Sequence, residues 1–124
     1  MAVWSKGRQT FPYVRGVVRA TELYRDLIER GPTVLTGDLN SNAIWDATHP
    51  KDQNHSALVD VLSEMGLVSA YHHFFGETQG KETRPTHYFH WKEDHPFHID
   101  YCFVPEPWIA DLRRVDVGSY EFWK

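Results

Sequence analysis

The sequence has 124 residues, 41% of them hydrophobic and 24% charged, which predicts at most one globular domain. The formal net charge of −4 and the lack of a basic run argue against strong non-specific binding to duplex nucleic acid, which depends on clustered Lys and Arg. The single cysteine, Cys102, excludes an internal disulfide, and without a secretory leader or an apolar run of membrane-spanning length the chain is expected to be cytoplasmic.

The first predicted elements are the end of a strand at residues 2–5, a long helix and a buried strand. Apolar side chains recur at three- and four-residue steps over residues 12–30, which predicts one amphipathic helix packed on a sheet. Residues 33–36 have strong β preference and predict a buried strand that ends at Asp38. Because a helix that leads into a buried strand is the second half of a crossover unit, the first half is expected to precede the first residue.

The middle of the chain predicts a long loop and a second helix. Residues 41–55 are polar and irregular, and ordered loops of this length are often functional. Residues 56–65 carry a helical apolar stripe. Residues 67–68 are expected to make a short apolar contact, residues 71–75 an aromatic patch and residues 76–84 a mobile loop.

The last third predicts antiparallel β structure. Residues 86–91 and 98–104 are expected to pair through a turn over residues 92–96. Strand alternation assigns the following residues to two faces: Ile99, Tyr101 and Phe103 on one, and His98, Asp100, Cys102 and Val104 on the other. Residues 108–112 predict one helical turn, and residues 115–117 a final strand.

Three polar side chains are candidates for chemistry. Asp38 and Asn40 lie two residues apart in an extended segment and can therefore project to the same side, where an acid and an amide suit water activation and phosphate positioning. The same residue types also favour a simple turn. Asp100, in mid-strand, either needs a charged partner if it is buried or lies on a solvated sheet face.

Eight histidines raise the alternative of a transition-metal binder. Their spacing gives it little support, because the chain has no His-Glu-X-X-His and no cysteine pair. No Gly-X-Ser-X-Gly elbow and no glycine-rich phosphate loop occurs. Cys102 is expected to be a packed, inert thiol.

Three motifs in order resemble one family. Gly-Asp-Leu-Asn at residues 37–40, Thr86 at the start of a strand, and Ile-Asp-Tyr at residues 99–101 resemble the endonuclease/exonuclease/phosphatase family of DNase I-like fold. The usual first motif is Gly-Asp-Phe-Asn, so Leu39 is a departure. The resemblance covers essentially the whole chain and corresponds to the C-terminal half of the family domain. It implies an α/β (α+β) fold: a partial four-layer sandwich, with two helices packed on a mixed or antiparallel sheet.

The resemblance implies hydrolysis of phosphodiesters or phosphomonoesters with Mg²⁺ or Mn²⁺. Asp38 would orient or deprotonate the attacking water, and Asn40 would hold that water and a phosphate oxygen. Asp100 would hydrogen-bond a catalytic histidine and fix its tautomer. The substrate would be nucleic acid, a phospholipid or a small phosphoester.

The family also has an Asn and a metal-binding Glu on early strands, and a catalytic His in a terminal Ser-Asp-His segment. None of these has a counterpart among the 124 residues, so the chain is expected to be a partial domain with little activity alone. An exposed sheet face or edge would then favour self-association. The competing hypothesis is a non-catalytic binding or assembly module that keeps the scaffold.

Overall fold

The chain folds as a mixed α/β structure, which a computed structural model describes over residues 1–7 and 10–123. The helices, in chain order, are α1 (Val14–Leu23), α2 (Arg25–Glu29), α3 (His55–Glu64), α4 (Ala70–Phe75) and α5 (Tyr120–Trp123). The strands are β1 (Ala2–Trp4), β2 (Leu35–Asp38), β3 (Leu67–Ser69), β4 (His87–Tyr88), β5 (Pro96–Phe97) and β6 (Asp100–Pro105). Short 3-10 helices cover Ala43–Thr48, Phe89–Trp91 and Glu106–Asp111. No helix in the described residues is long and apolar enough to cross a membrane.

Four strands form one mixed sheet in the order β1-β2-β6-β3. β1 is parallel to β2 and is connected to it through α1 and α2, so the chain itself contains the first half of the crossover unit, and the prediction that this half precedes the first residue is wrong. β6 is antiparallel to both of its neighbours. In this register Leu35 lies opposite Phe103, and Asp38 lies opposite Asp100. β4 and β5 form a separate two-stranded ladder. The predicted α/β class with a mixed sheet is therefore confirmed.

One face of the four-stranded sheet packs against α1 and α3 to form the core. Val14, Val17 and Val18 are buried on one side of α1, as their spacing predicts. They share the core with Leu58 and Leu62 of α3. The sheet contributes Leu35, Tyr101 and Phe103 to this core. The predicted packing of two helices on a sheet is thus present, and the alternating residues of β2 and β6 point away from it.

The helix predicted over residues 12–30 is divided in two. α1 ends at Leu23 and α2 begins at Arg25, because Tyr24 has φ −99° and ψ 14°. The Thr21 hydroxyl donates a hydrogen bond to the carbonyl oxygen of Val17 at 2.9 Å, a contact that bends helices. The buried face was predicted correctly, and the continuity of the helix was not.

The predicted pairing of residues 86–91 with residues 98–104 is wrong. The first segment stays extended only to Tyr88, because His90 and Trp91 adopt φ values of 54° and 57° and close a tight turn. β4 therefore pairs with β5, while β6 joins the main sheet between β2 and β3.

Three further segments refine the predictions. Residues 67–68, expected as an apolar contact, lie in β3, and residues 71–75, expected as an aromatic patch, lie in α4, which is capped by Gly76 with φ 64°. The helical turn predicted over residues 108–112 overlaps the 3-10 helix Glu106–Asp111 and is confirmed. The strand predicted over residues 115–117 is wrong, since residues 112–119 have no regular structure.

Candidate functional site

Asp38 and Asp100 occupy opposite positions on neighbouring strands. Asp38 is the last residue of β2 and Asp100 the first of β6, and the two pair in the antiparallel register. Because opposite residues of an antiparallel pair project to the same face, their carboxylates share the sheet face that points away from the core. Asp38 is partly buried and Asp100 is exposed, which is the solvated alternative considered for Asp100.

Asn40 holds the Asp38 carboxylate in place. Its backbone N–H donates to Oδ1 of Asp38 at 2.7 Å, and its side-chain amide donates to Oδ2 at 3.0 Å. Asn40 has φ 44°, a left-handed conformation that Asn tolerates better than most residues. The segment is therefore a turn as well as an acid–amide pair, and both interpretations of the sequence describe it. The side-chain nitrogen of Asn40 points to Asp38, so the side-chain oxygen of Asn40 is the atom that can face a ligand.

The end of β1 supports this turn from the other side. The Ser5 N–H donates to the Asp38 carbonyl oxygen at 3.0 Å, and the Ser5 carbonyl accepts from the Asn40 amide at 2.9 Å. The Ser5 hydroxyl also donates to the carbonyl of Leu39. Gly37 permits this close approach: its φ is 141°, and a Cβ there would lie 1.9 Å from the Val3 carbonyl oxygen. The glycine of the Gly-Asp-Leu-Asn motif is thus required by the strand beside it.

The environment raises the pKa of Asp38. Burial is the largest cause, and the nearby Asp100 carboxylate adds to it. The Asn40 N–H and the charge of His87 act in the opposite direction. The carboxylate therefore holds a proton more readily than an exposed Asp does.

Thr86 links the β4–β5 hairpin to the start of β6. Its hydroxyl accepts hydrogen bonds from the backbone N–H groups of Ile99 and Asp100, both at 3.0 Å. Its own N–H donates to the Phe97 carbonyl at 2.9 Å. Thr86 thereby fixes the backbone of Asp100 and places the next residue, His87, within electrostatic reach of Asp38.

A cleft of about 610 Å³ opens beside Asn40. We call it the ring cleft, because its lining includes the rings of Tyr13, Trp45, Phe89 and Phe97 together with Asn40 and His87. Trp45 and Phe97 contact each other with ring centroids 5.2 Å apart and an angle of 47° between planes. Such a volume is in the range of small-molecule sites.

A buried polar network lies behind the candidate site. Glu82 accepts hydrogen bonds from His72 Nε2 at 2.9 Å, from the Asn42 amide at 3.0 Å and from the Gly80 N–H at 2.9 Å. Burial alone would raise the pKa of Glu82, but these donors outweigh it and lower the pKa to about 2. Asn42 also donates to the carbonyl of His98 at 2.9 Å. The network ties the loop predicted over residues 76–84 to the core.

Three of the histidines are buried in or next to this network: His55, His72 and His98. Burial lowers the pKa of His55 and of His98. His98 Nδ1 donates to the Arg84 carbonyl at 2.8 Å, and its Nε2 is the buried side-chain nitrogen that lacks a partner within the described part of the chain. Within that same part, no group of three or more His, Cys, Asp or Glu side chains is arranged to hold a metal ion.

Comparison with known proteins gives this geometry no family name. No protein-family model matches the sequence, and no curated protein matches it.

The structure brings the three predicted site residues together and adds others. Asp38, Asn40 and Asp100 lie on one side of the sheet, although Asn40 and Asp100 are 60 positions apart in the sequence. Sequence reasoning missed His87 and the contribution of Trp45. A signal for His87 was its position directly after the motif threonine, and the signal for Trp45 was its place in the long loop predicted over residues 41–55.

Proposed function

We propose that this chain carries part of the site of a metal-dependent phosphoester hydrolase of the endonuclease/exonuclease/phosphatase type. The observation that supports it most is that Asp38 lies directly opposite Asp100 and is hydrogen-bonded to Asn40, which lines a cleft. Two carboxylates and an amide oxygen on one side of a sheet are donors that suit hard divalent cations such as Mg²⁺ or Mn²⁺.

The arrangement of the sheet supports the DNase I-like part of the proposal. The face away from α1 and α3 carries Trp4, Thr36 and Asp100, which are exposed. In a four-layer sandwich this face would pack against a second sheet. We propose that the described fold is one half of such a sandwich.

The chemistry follows from the two hydrogen bonds on Asp38. Asn40 orients the carboxylate, and the raised pKa of Asp38 favours transfer of a proton to it from a water molecule that attacks phosphorus. One P–O bond forms as the P–O bond to the leaving group breaks, and the amide oxygen of Asn40 positions the attacking water. A bound Mg²⁺ or Mn²⁺ would neutralise charge on the phosphate oxygens. Asp100 would orient a histidine that acts on the leaving group.

The test is hydrolysis of bis(4-nitrophenyl) phosphate and 4-nitrophenyl phosphate with Mg²⁺ or Mn²⁺ against EDTA. We expect the 124 residues alone to be close to the buffer rate, since the resemblance assigns a metal-binding Glu and a catalytic His that they do not include. A longer reading frame that supplies both is expected to hydrolyse at least one substrate and to lose that activity in Asp38→Asn.

Two results would count against parts of this proposal. If such a longer chain folds but hydrolyses neither ester, the result contradicts the proposed hydrolase function. Robust Mg²⁺-dependent cleavage by the 124 residues, abolished in Asp38→Ala, would support the hydrolase function and contradict the proposal that the site is incomplete. Asp94→Asn, in the exposed turn between β4 and β5, is the matched control and should change neither rate.

The second candidate is a binding or assembly module, which the exposed sheet face favours. Trp4 is 69% exposed on that face, and Trp is enriched at protein–protein interfaces. This candidate predicts a dimer or larger species in light scattering that Trp4→Lys converts to a monomer. A monomer at all concentrations with unchanged folding would contradict it.

A further inference from the structure

The three predicted site residues offer a phosphate oxygen no hydrogen-bond donor. The Asn40 side-chain amide has two hydrogens, and it donates to Oδ2 of Asp38 at 3.0 Å and to the Ser5 carbonyl at 2.9 Å. The backbone N–H of Asn40 is bonded to Oδ1 of Asp38. Ionised carboxylates only accept hydrogen bonds, so Asp38 and Asp100 would repel the anion that the proposed function brings to them. A phosphate at this edge of the sheet therefore needs a donor from another residue.

His87 is placed to be that donor. It is exposed in β4 and lines the ring cleft together with Asn40. It also borders a second recess of about 290 Å³, whose lining includes Thr86. Within the described part of the chain, the His87 imidazole forms no hydrogen bond. Its ring nitrogens are therefore available to a ligand at this edge.

The backbone around His87 is fixed relative to the two carboxylates. Thr86, the preceding residue, accepts hydrogen bonds from the N–H groups of Ile99 and Asp100 on its hydroxyl, both at 3.0 Å. In the β4–β5 ladder His87 lies opposite Phe97, whose carbonyl accepts a hydrogen bond from the Thr86 N–H at 2.9 Å. These bonds tie the hairpin to the start of β6. His87 is thus held by paired strands, which position a side chain more precisely than a loop does.

A second histidine of the ring cleft provides a comparison. His49 lines the same cleft and is partly buried. The charge of His87 lowers the pKa of Asp38, whereas His49 is not among the main influences on that pKa. His87 is therefore the basic side chain of the cleft that interacts with the carboxylate.

We propose that His87 binds the phosphate group of the substrate by donating an imidazole N–H hydrogen bond to a non-bridging phosphate oxygen. The proposal rests on the proposed function, because it concerns the same phosphoester site. A donor at this position offsets the repulsion from Asp38 and Asp100 and stabilises the charge that the phosphate oxygens carry in the transition state. The role differs from that of the histidine in the family's terminal segment, which would act on the leaving group.

The test is titration of the 124-residue chain with inorganic phosphate in the presence of Mg²⁺, followed by NMR. We expect the imidazole resonances of His87 to shift and to saturate. Sodium chloride at the same ionic strength should not produce this shift. Because the wild-type protein gives this result by itself, the proposal can be tested even if a variant does not fold.

Two variants of His87 separate hydrogen bonding from a structural role of the ring. His87→Phe keeps a ring without an N–H donor, so it should weaken phosphate binding about 10-fold, measured from backbone amide shifts, because a hydrogen bond to a charged group is lost. His87→Gln retains a side-chain N–H and should recover most of the affinity. His49→Phe, in the same cleft, is the matched control and should bind phosphate as the wild type does.

Three results would each overturn the proposal. They are His87 resonances that phosphate does not shift, an unchanged phosphate affinity in folded His87→Phe, and an equal loss of affinity in His49→Phe. The outcome is separable from the hydrolase test. Asp38→Asn should retain the phosphate-dependent shift of His87, so absence of hydrolysis with an intact shift contradicts only the proposed function. Hydrolysis by the longer chain that is unaffected by His87→Phe contradicts only this inference.

Discussion

The carboxylates of Asp38 and Asp100 face each other across the β2–β6 ladder, where like charges destabilise a sheet. Neither Asp38 nor Asp100 has an ion-pair partner among the pairs found in the described residues. The arrangement is therefore retained at a cost in stability, as is common at functional sites.

Asp100→Asn should relieve this repulsion. We expect the free energy of unfolding at pH 7 to rise by about 0.5 kcal/mol, because an opposed like-charge pair is replaced by a neutral one. The pKa of Asp38 should fall, since the Asp100 charge is one of the causes that raise it. Urea denaturation and NMR titration of the Asp38 carboxyl measure the two effects. Asp94→Asn is the control, and an Asp38 titration that does not move in Asp100→Asn would contradict the coupling.

Gly37→Ala should destabilise the fold by about 3 kcal/mol or more. The added Cβ would lie 1.9 Å from the Val3 carbonyl oxygen, on a backbone with φ 141°. Gly31→Ala is the matched control, because a Cβ there meets no atom within 4 Å, and its effect should be within about 1 kcal/mol. The free energies of unfolding of both variants, measured by thermal unfolding, test this difference. Similar stabilities would show that β1 does not hold its position against β2.

Asn42→Ala should cost more than Asn54→Ala. The Asn42 side chain is buried and bonds Glu82, the Tyr101 hydroxyl, the His98 carbonyl and the Ile44 N–H, so its removal deletes four hydrogen bonds, one of them to a charged carboxylate, at about 2–3 kcal/mol. Asn54 caps α3 through one bond to the Ala57 N–H at 2.9 Å, which predicts a loss of about 1 kcal/mol. Chemical denaturation of the pair tests this order, and the reverse order would mean that the network contributes little.

Stability should fall on acidification in two stages. The pKa values of His55 and His98 are lowered by burial, so the unfolded chain takes up protons first, and stability declines as the pH falls below about 6.5. Glu82, with a pKa of about 2 against an ordinary value of 4.5, adds a second decline as the pH falls from 4.5 towards 2. The free energy of unfolding measured across this range checks both.

Glu82→Gln isolates the second stage of that decline. This variant should be less stable at pH 7 and should show a smaller loss of stability below pH 4.5, because one of the two glutamates whose pKa is lowered to about 2, Glu82 and Glu77, no longer takes up a proton on unfolding. Glu93→Gln, in the exposed turn, should retain the full loss. If the Glu82→Gln and Glu93→Gln profiles coincide, Glu82 does not carry the acid sensitivity.

The sequence was sufficient for the features that depend on local periodicity. The buried face of α1 follows from the spacing of Val14, Val17 and Val18, and the buried face of β6 from the alternation of Tyr101 and Phe103. The choice of strand partners could not be predicted, because it depends on a left-handed backbone at His90 and Trp91. Neither residue type adopts that conformation often enough for the sequence to indicate it. Part of the candidate site was likewise hidden, since the position of His87 beside Asp38 depends on that unexpected turn.

Ser5 gives the first residues of the chain a role in the geometry of Asp38. Its three backbone and hydroxyl contacts hold residues 38–40 in place from the β1 side. Proteolytic trimming of the first five residues would remove the support altogether. The integrity of the N-terminal peptide, verified by intact mass spectrometry, is therefore a condition for interpreting any measurement on Asp38.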